Sequence, residues 1–167
     1  MIVLIANIID LLAAVIQTTS GALKQKTKIL LVQILQLLMQ AVSMALLGGI
    51  TGAISNILSC IRNYVCYKGK LNKIWKAVFI AASIAMTILW NNQGLLGIIP
   101  AAVCTVYILF MDVKDPIKFK WLVTLSFVPW MVYHFMLKSY TGAALDVVTI
   151  IVNAITLFYM IRAKAKE

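Results

Sequence analysis

Seven apolar stretches, each about as long as a membrane-spanning helix, divide this chain of 167 residues. A helix needs roughly 17 to 25 apolar residues to cross ~30 Å of hydrocarbon. The composition agrees with this interpretation, because 63% of the residues are hydrophobic. The stretches occupy residues 2–20, 29–47, 50–67, 74–90, 95–111, 119–136 and 141–161. We therefore expect an all-α, polytopic membrane protein with seven transmembrane helices.

The positive charges fall on one side of the predicted membrane. They are grouped in four segments: 24–28, 62–76, 114–120 and 162–166. The alternate connections 48–49 and 91–94 carry no charge, and Lys138 is the one exception. Because basic loops stay in the cytoplasm, the N-terminus is expected outside and the C-terminus in the cytoplasm. The net charge of +10 is explained by these loop anchors, so nucleic acid is not an expected partner.

The sequence contains no motif for a cleaved signal peptide, a metal site or a nucleotide site. The first stretch has no basic segment before it, and Asn7 and Asp10 interrupt it, so it is interpreted as a retained helix rather than a signal peptide. The odd number of cysteines, at Cys60, Cys66 and Cys104, matches no metal-binding spacing. We interpret them as small packing residues and expect neither a metal nor a cofactor.

The sequence repeats itself without a gap at an offset of ninety residues. The tripeptide Thr-Gly-Ala at 51–53 returns at 141–143, and loop lysines 24 and 28 return at 114 and 118. Helices one to three therefore match helices five to seven, and helix four is a linker. An odd number of crossings gives both units the same orientation, as in parallel repeats. The predicted units are residues 1–68, 69–93 and 94–167.

Polar residues follow one face of the predicted helices in both units. In helices three and seven the two stripes share their phase: Asn56, Ser59, Asn63 and Cys66, then Asp146, Thr149, Asn153 and Thr156. Helix two carries a glutamine stripe, and helix one carries Asp10. Such stripes either bind helices together or line a polar cavity. For the carboxyls of Asp10 and Asp146 we favour a functional role, as a site for a cationic group or for a proton.

Four residues of the second unit, two with aromatic side chains and two prolines, are further candidates or alternatives. Trp130, in the middle of helix six, is interpreted as a core residue or as a ring that stacks on a sugar, a heterocycle or a cation. His134, the sole histidine, is interpreted as a packed or interfacial residue rather than a proton relay. Pro100 and Pro129 have no proline at their repeat positions, Asp10 and Met39.

Residues 51–63, TGAISNILSCIRN, and residues 130–162, from WMVYHFMLKS to ITLFYMIR, resemble the YgjV family of bacterial inner membrane proteins. The arrangement of three helices, a linker and three more in the same orientation is similar to that of the SWEET/PQ-loop (MtN3-like) transporters. That resemblance implies a central pocket, with Asn56, Asn63, Asp146 and Asn153 contacting the substrate and Pro100 and Pro129 acting in gating. The sequence departs from the pattern because neither unit contains a Pro-Gln pair.

Two classes of function fit these features. The first is a small-solute transporter that works by alternating access between the two units, with a site that includes Trp130 and Asp10. The alternative is a membrane receptor, chaperone or scaffold with the same fold. An enzyme is not expected, because one histidine and scattered serines do not assemble a catalytic group. The expected partners are the lipid bilayer and a small-molecule substrate, with a homo-oligomer left open.

Overall fold

The computed structural model describes residues 2–91, 94–136 and 140–165, without the side chains of residues 140 and 141. These residues form seven α-helices: α1 (Ile2–Ala22), α2 (Lys26–Leu46), α3 (Ile50–Tyr67), α4 (Lys73–Trp90), α5 (Ile98–Phe110), α6 (Pro116–Met136) and α7 (Tyr140–Lys164). A single 3-10 turn, Gly94–Gly97, precedes α5. The predicted all-α fold is confirmed. Lys138, the exception to the charge pattern, lies outside the described residues.

The surface of the bundle is apolar and its interior is partly polar. Leu4, Leu35 and Leu125 are each more than half exposed, whereas Asn63 and Asn153 are fully buried. Within the described residues, four helices are long and apolar enough to cross a membrane: α1, α2, α4 and most of α7. The distribution is the reverse of that in a water-soluble protein and suits a chain whose outside faces lipid.

Helix α6 begins earlier than its apolar stretch because of a strong start signal. The Oδ1 atom of Asp115 accepts hydrogen bonds from the backbone N–H of Ile117 at 2.8 Å and of Lys118 at 3.3 Å. Pro116 occupies the first helical position, where its missing N–H costs nothing. The backbone N–H groups lower the pKa of the Asp115 carboxyl below its usual value. The helix therefore includes Lys120 in its second turn.

The helices pack in chain order, and the last returns to the first. Each of the first six helices contacts the next, and α7 contacts α1. Helix α3 also contacts α5, and α2 contacts α6. We call α1–α3 the first triplet and α5–α7 the second triplet. Helix α4 lies beside α3 and α5.

Side-chain contacts show the relative direction of the helices that join the two triplets. Along α1 and α7, Gln17 meets Asp146 and Thr18 meets Thr149, so residue numbers rise together. Along α3 and α5, Ser59 meets Cys104 and Cys66 meets the carbonyl of Met111, again with rising numbers. Both pairs of helices therefore run parallel.

Two lysines join the triplets at the end of the bundle that carries the basic loops, which we call the lysine end. Lys120 Nζ on α6 donates to the carbonyl of Gly21 in the last turn of α1 and to that of Leu23 just after it. Lys26 Nζ on α2 donates to the carbonyls of Met111 and Val113 after α5. We call these contacts the lysine clamps. Cations suit the ends of helices, where carbonyls lack partners.

The prediction that Lys120 anchors a loop in solvent is wrong, because its side chain is fully buried. Since α6 already includes this position, the amine points into the bundle and binds backbone carbonyls there. An apolar cluster of α2, α5 and α6 surrounds the clamps: Ile29, Leu30, Tyr107, Met111, Phe119, Val123 and Phe127. Together the cluster and the clamps close the lysine end.

Candidate functional site

A polar cavity lies between the two triplets. Its volume is about 70 Å³. That volume holds a few water molecules, and it is below the roughly 300 Å³ at which pockets for drug-sized ligands begin. Helices α1, α2, α3, α5, α6 and α7 all contribute to the lining. The side chains that matter for its chemistry are Gln17, Gln33, Gln36, Gln40, Asn56, Arg62, Asn63, Tyr107, Trp130, His134 and Asp146.

Asp146 lies at one side of this cavity with both carboxylate oxygens occupied. Its Oδ1 accepts a hydrogen bond from Gln17 Nε2 at 2.8 Å, and its Oδ2 lies 2.7 Å from His134 Nδ1. The residue is 3% exposed. A carboxyl group inside the membrane needs such partners, and Gln17 and His134 supply them. The sequence placed His134 among packing residues and did not indicate this ion pair.

A chain of amides connects Asp146 to the glutamine stripe of α2. Gln36 Nε2 donates to Gln17 Oε1 at 3.0 Å and to Gln40 Oε1 at 2.7 Å. The stripe therefore binds α2 to α1, which is the first of the two roles considered for it. The same three amides line the cavity, so they also give it hydrogen-bonding groups.

Arg62 lies on the opposite wall, on α3. Its side chain is buried, and Nε and Nη2 donate to Asn63 Oδ1 at 3.2 and 3.0 Å. The guanidinium stacks over the ring of Tyr107, 4.7 Å from the ring centre. Gln33 Oε1 accepts from Asn63 Nδ2 at 3.2 Å and from the hydroxyl of Tyr107 at 3.3 Å. The sequence analysis counted Arg62 among the loop cations, and this is wrong because Arg62 lies inside α3 and is buried there.

Asn56 occupies in the first triplet the place that Asp146 has in the second. Asn56 Nδ2 lies 3.4 Å from the sulfur of Met44. Adding ninety to these two numbers gives Asp146 and His134, which form the ion pair. The lysine clamps show the same offset. The carbonyls of Gly21 and Leu23 accept from Lys120, and those ninety residues later, of Met111 and Val113, accept from Lys26.

Trp130 and Asp10 lie at the edge of the site. The Trp130 ring borders the cavity and packs against His134, with ring centres 5.9 Å apart and an angle of 34°. Asp10 is half-buried on α1, close enough to His134 and Asp146 to interact with both charges. It is not among the described residues that line the cavity. Its carboxyl can therefore influence the ion pair without contacting a ligand there.

Asn153 is buried outside the cavity. Its Nδ2 donates to the carbonyl of Thr149 at 2.9 Å, and its Oδ1 is the one buried side-chain oxygen or nitrogen without a partner among the described residues. Gly21 has no side chain to separate α1 from α7, and a Cβ there would lie 3.5 Å from Asn153 Nδ2. This close approach places Asn153 between the helices, so the structure separates it from Asn56, Asn63 and Asp146.

The two prolines predicted to act in gating lie on different helices. Pro100 is buried in the first turn of α5. Pro129 is half-buried inside α6, one residue before Trp130. A proline inside a helix removes one backbone hydrogen bond and allows a bend. Pro129 therefore adjoins the cavity wall, and its role in gating remains a prediction.

The site includes amides, aromatic rings, and the side chains of Arg62, His134 and Asp146. No cluster of three or more His, Cys, Asp or Glu side chains suited to a metal occurs in residues 2–91, 94–136 and 140–165. Arg62, Gln17 and Tyr107 are site residues that the sequence analysis missed. The spacing of Arg62, one residue before Asn63 and on a face with Ser59 and Cys66, was the available signal.

Comparison with known proteins gives one family match. A family model described as "Imp-YgjV: Bacterial inner membrane protein" matches residues 4–164. No curated protein and no solved structure matches the chain.

Proposed function

The chain therefore belongs to the Imp-YgjV family of bacterial inner membrane proteins, and from this premise we propose that it transports a small solute by alternating access. It is a multi-pass protein of the bacterial inner membrane, in agreement with its apolar helices. The proposal rests on one observation above all. The bundle buries the hydrogen-bonded pair of Asp146 and His134 beside a polar cavity at the junction of its two triplets.

The proposed arrangement is that of SWEET-like proteins, with two parallel three-helix units of residues 1–68 and 94–167 and a linker of residues 69–93. Two kinds of contact support it. At an offset of ninety residues, α1 corresponds to α5 and α3 corresponds to α7. The contact of α1 with α7 then corresponds to the contact of α5 with α3, and both contacts occur. The pair of Met44 and Asn56 likewise corresponds to the pair of His134 and Asp146.

Closure of the lysine end supports a transport cycle. Between described residues, the hydrogen bonds that join the triplets lie at mid-depth or at the lysine end, where the clamps bind helix ends. Opening that end would break the contacts of Lys26 and Lys120 with the opposite triplet. If the positive-inside rule holds, the described conformation is closed toward the cytoplasm.

We assign substrate contact to Asn56, Asn63, Asp146 and Trp130, which line the cavity. Asp10 is assigned an electrostatic effect on the ion pair of His134 and Asp146. The energetic reason is that polar side chains in hydrocarbon are costly and are retained where they serve a pathway or hold helices together. A hinge at Pro129 would change the position of Trp130.

The alternative is a receptor, chaperone or scaffold that does not translocate a solute. The small volume of the cavity, about 70 Å³, favours it, because a solute of more than a few carbon atoms needs more space. A transporter with both ends closed would have an equally small cavity. The two candidates therefore differ in whether the cavity becomes reachable from both sides of the membrane.

Cysteine accessibility separates these two candidates. In a background without Cys60, Cys66 and Cys104, Ser126→Cys places a thiol on the cavity wall. A membrane-impermeant maleimide should label it in intact cells and, in a separate sample, in inverted membrane vesicles. Leu125→Cys is the matched control, because residue 125 is 59% exposed on the outer face of the same helix and should stay unlabelled in lipid. Labelling of Ser126→Cys from one side only, or from neither, would contradict alternating access.

A further inference from the structure

The guanidinium of Arg62 is buried beside the cavity without an acidic partner. Its side chain is 6% exposed. The groups that contact it are the neutral amide oxygen of Asn63 and the ring of Tyr107. No carboxylate of a described residue lies within ion-pair distance of the guanidinium. The ion pairs between described residues have Lys76, His134 and Lys164 as their basic partners. A buried cation in a membrane bundle normally has a counter-charge.

One nitrogen of Arg62 is directed at the cavity. Its Nε and Nη2 are bound to Asn63, whereas Nη1 has no hydrogen-bond partner among the described residues. Nη1 is not one of the atoms sealed inside the protein without a partner, and Arg62 forms part of the cavity lining. The N–H groups of Nη1 are therefore available to a group inside the cavity.

Two nearby glutamines also leave donors. Gln33 accepts two hydrogen bonds on Oε1, from Asn63 and Tyr107, so its Nε2 remains. Gln40 accepts from Gln36 on Oε1, and its Nε2 also remains. Asp146 cannot serve Arg62 in this conformation, because Gln17 and His134 occupy its two oxygens. A ligand that supplies only acceptors and a negative charge satisfies all of these groups.

We propose that this wall of the cavity binds the carboxylate group of a small organic acid, with Arg62 as its counter-charge. The inference rests on the proposed transport function and names its substrate class. A carboxylate accepts from two guanidinium nitrogens at once. In the described conformation Nε and Nη2 donate to Asn63 Oδ1. The carboxylate would accept from Nη1 and from the second N–H of Nη2, so it and Asn63 would share the guanidinium. The cavity of about 70 Å³ suits an acid of a few carbon atoms.

Thermal unfolding of the purified full-length protein tests the inference. Sodium acetate and sodium pyruvate are compared with sodium chloride, sodium phosphate and methylammonium chloride at equal ionic strength. A ligand that binds the folded state raises the melting temperature with concentration. We expect saturable stabilisation by the two carboxylates alone. Equal melting temperatures in all five salts, or stabilisation by phosphate or methylammonium instead, would overturn the inference.

Three variants assign the effect to Arg62. Arg62→Gln should raise the carboxylate concentration for half-maximal stabilisation by about tenfold or more, because it removes a charge-assisted hydrogen bond. Arg62→Lys keeps the charge but not the planar fork and should have an intermediate effect, which provides a second test if the first variant does not fold. Arg162→Gln removes an exposed arginine of α7 and should leave the response unchanged. A response that Arg62→Lys and Arg62→Gln both leave intact contradicts the assignment.

The outcome is separable from that of the proposed function. Stabilisation by carboxylates with Ser126→Cys labelled from one side only would support the binding site and contradict transport. Labelling from both sides without a response to any carboxylate would support transport and contradict the inference. Uptake of radiolabelled acetate into proteoliposomes, compared between the original protein and Arg62→Gln, then tests whether the bound acid is also the transported solute.

Discussion

The ion pair of His134 and Asp146 can be replaced by the neutral pair that the first triplet already carries. The positions ninety residues earlier are Met44 and Asn56, whose side chains also meet, at 3.4 Å. The perturbation is therefore a cycle of three variants: His134→Met, Asp146→Asn and the double substitution. Each replacement residue is one that the same fold accommodates at an equivalent place.

The expected stability changes follow from the contacts. In His134→Met, Asp146 loses its charged partner at 2.7 Å and keeps only the hydrogen bond from Gln17. Removing one partner of a buried ion pair costs about 3–5 kcal/mol. Asp146→Asn keeps the shape and a neutral hydrogen bond, so about 1–2 kcal/mol is expected. The double variant leaves no buried charge at the pair and should also lose only about 1–2 kcal/mol.

The free energies of unfolding can be measured by titration with sodium dodecyl sulfate in mixed micelles. Trp130 reports on the site directly, because its ring centre lies 5.9 Å from that of His134. Independent substitutions add within about 0.5 kcal/mol. A double variant whose loss equals the sum of the two single losses would refute the view that a charged pair holds this site together.

Three further predictions concern the lysine end and the topology. Lys120→Met should destabilise the protein by about 2–3 kcal/mol, because the carbonyls at the end of α1 lose their partner. The control Lys118→Met, at an exposed position, should change stability by no more than about 0.5 kcal/mol, and equal effects of the two variants in unfolding titrations would contradict the clamp. A cysteine in place of Lys68 should react with an impermeant reagent in inverted vesicles only, and labelling in intact cells would refute the cytoplasmic placement. The folded state lowers the pKa of Asp115 below 3.8, so its stabilisation of α6 should be complete above pH 3.8 and disappear as the pH falls through the pKa of the folded state. Asp115→Ala should remove this acid dependence from the melting temperature. Asp115→Asn, which still caps the helix, should retain most of the stability.

Much of this fold could be predicted from the sequence, because lipid imposes a simple rule. Apolar stretches of the length of a bilayer form helices, and their polar faces turn inward. That rule placed Asn56, Asn63 and Asp146 in the interior, where the structure buries all three. Asn153 is buried as well, but it is not part of the cavity lining, and the close approach of α1 at Gly21 that surrounds it depends on tertiary packing.

The role of two cations could not be predicted from loop counting. Arg62 and Lys120 lie near the ends of apolar stretches, where a charged side chain usually extends to the interface. Here each turns inward, toward an amide and an aromatic ring in one case and toward helix carbonyls in the other. The ring of Tyr107 and the carbonyls bound by Lys120 come from distant parts of the chain, so no local pattern shows them. The start of α6 at Asp115 was a usable signal for Lys120, since an Asp-Pro pair marks the beginning of a helix.

The charged residues of the site have no charged counterpart at an offset of ninety residues. Arg62 corresponds to Val152, and Asp146 and His134 correspond to Asn56 and Met44. Had the charges been duplicated with the helices, two arginines and two carboxylates would share a small cavity, and like charges at close range in low dielectric are costly. The first triplet instead supplies the guanidinium and the second supplies the carboxylate and imidazole. Under the proposed function, an acid would therefore bind in one orientation, with its carboxylate at Arg62 and away from the carboxyl of Asp146.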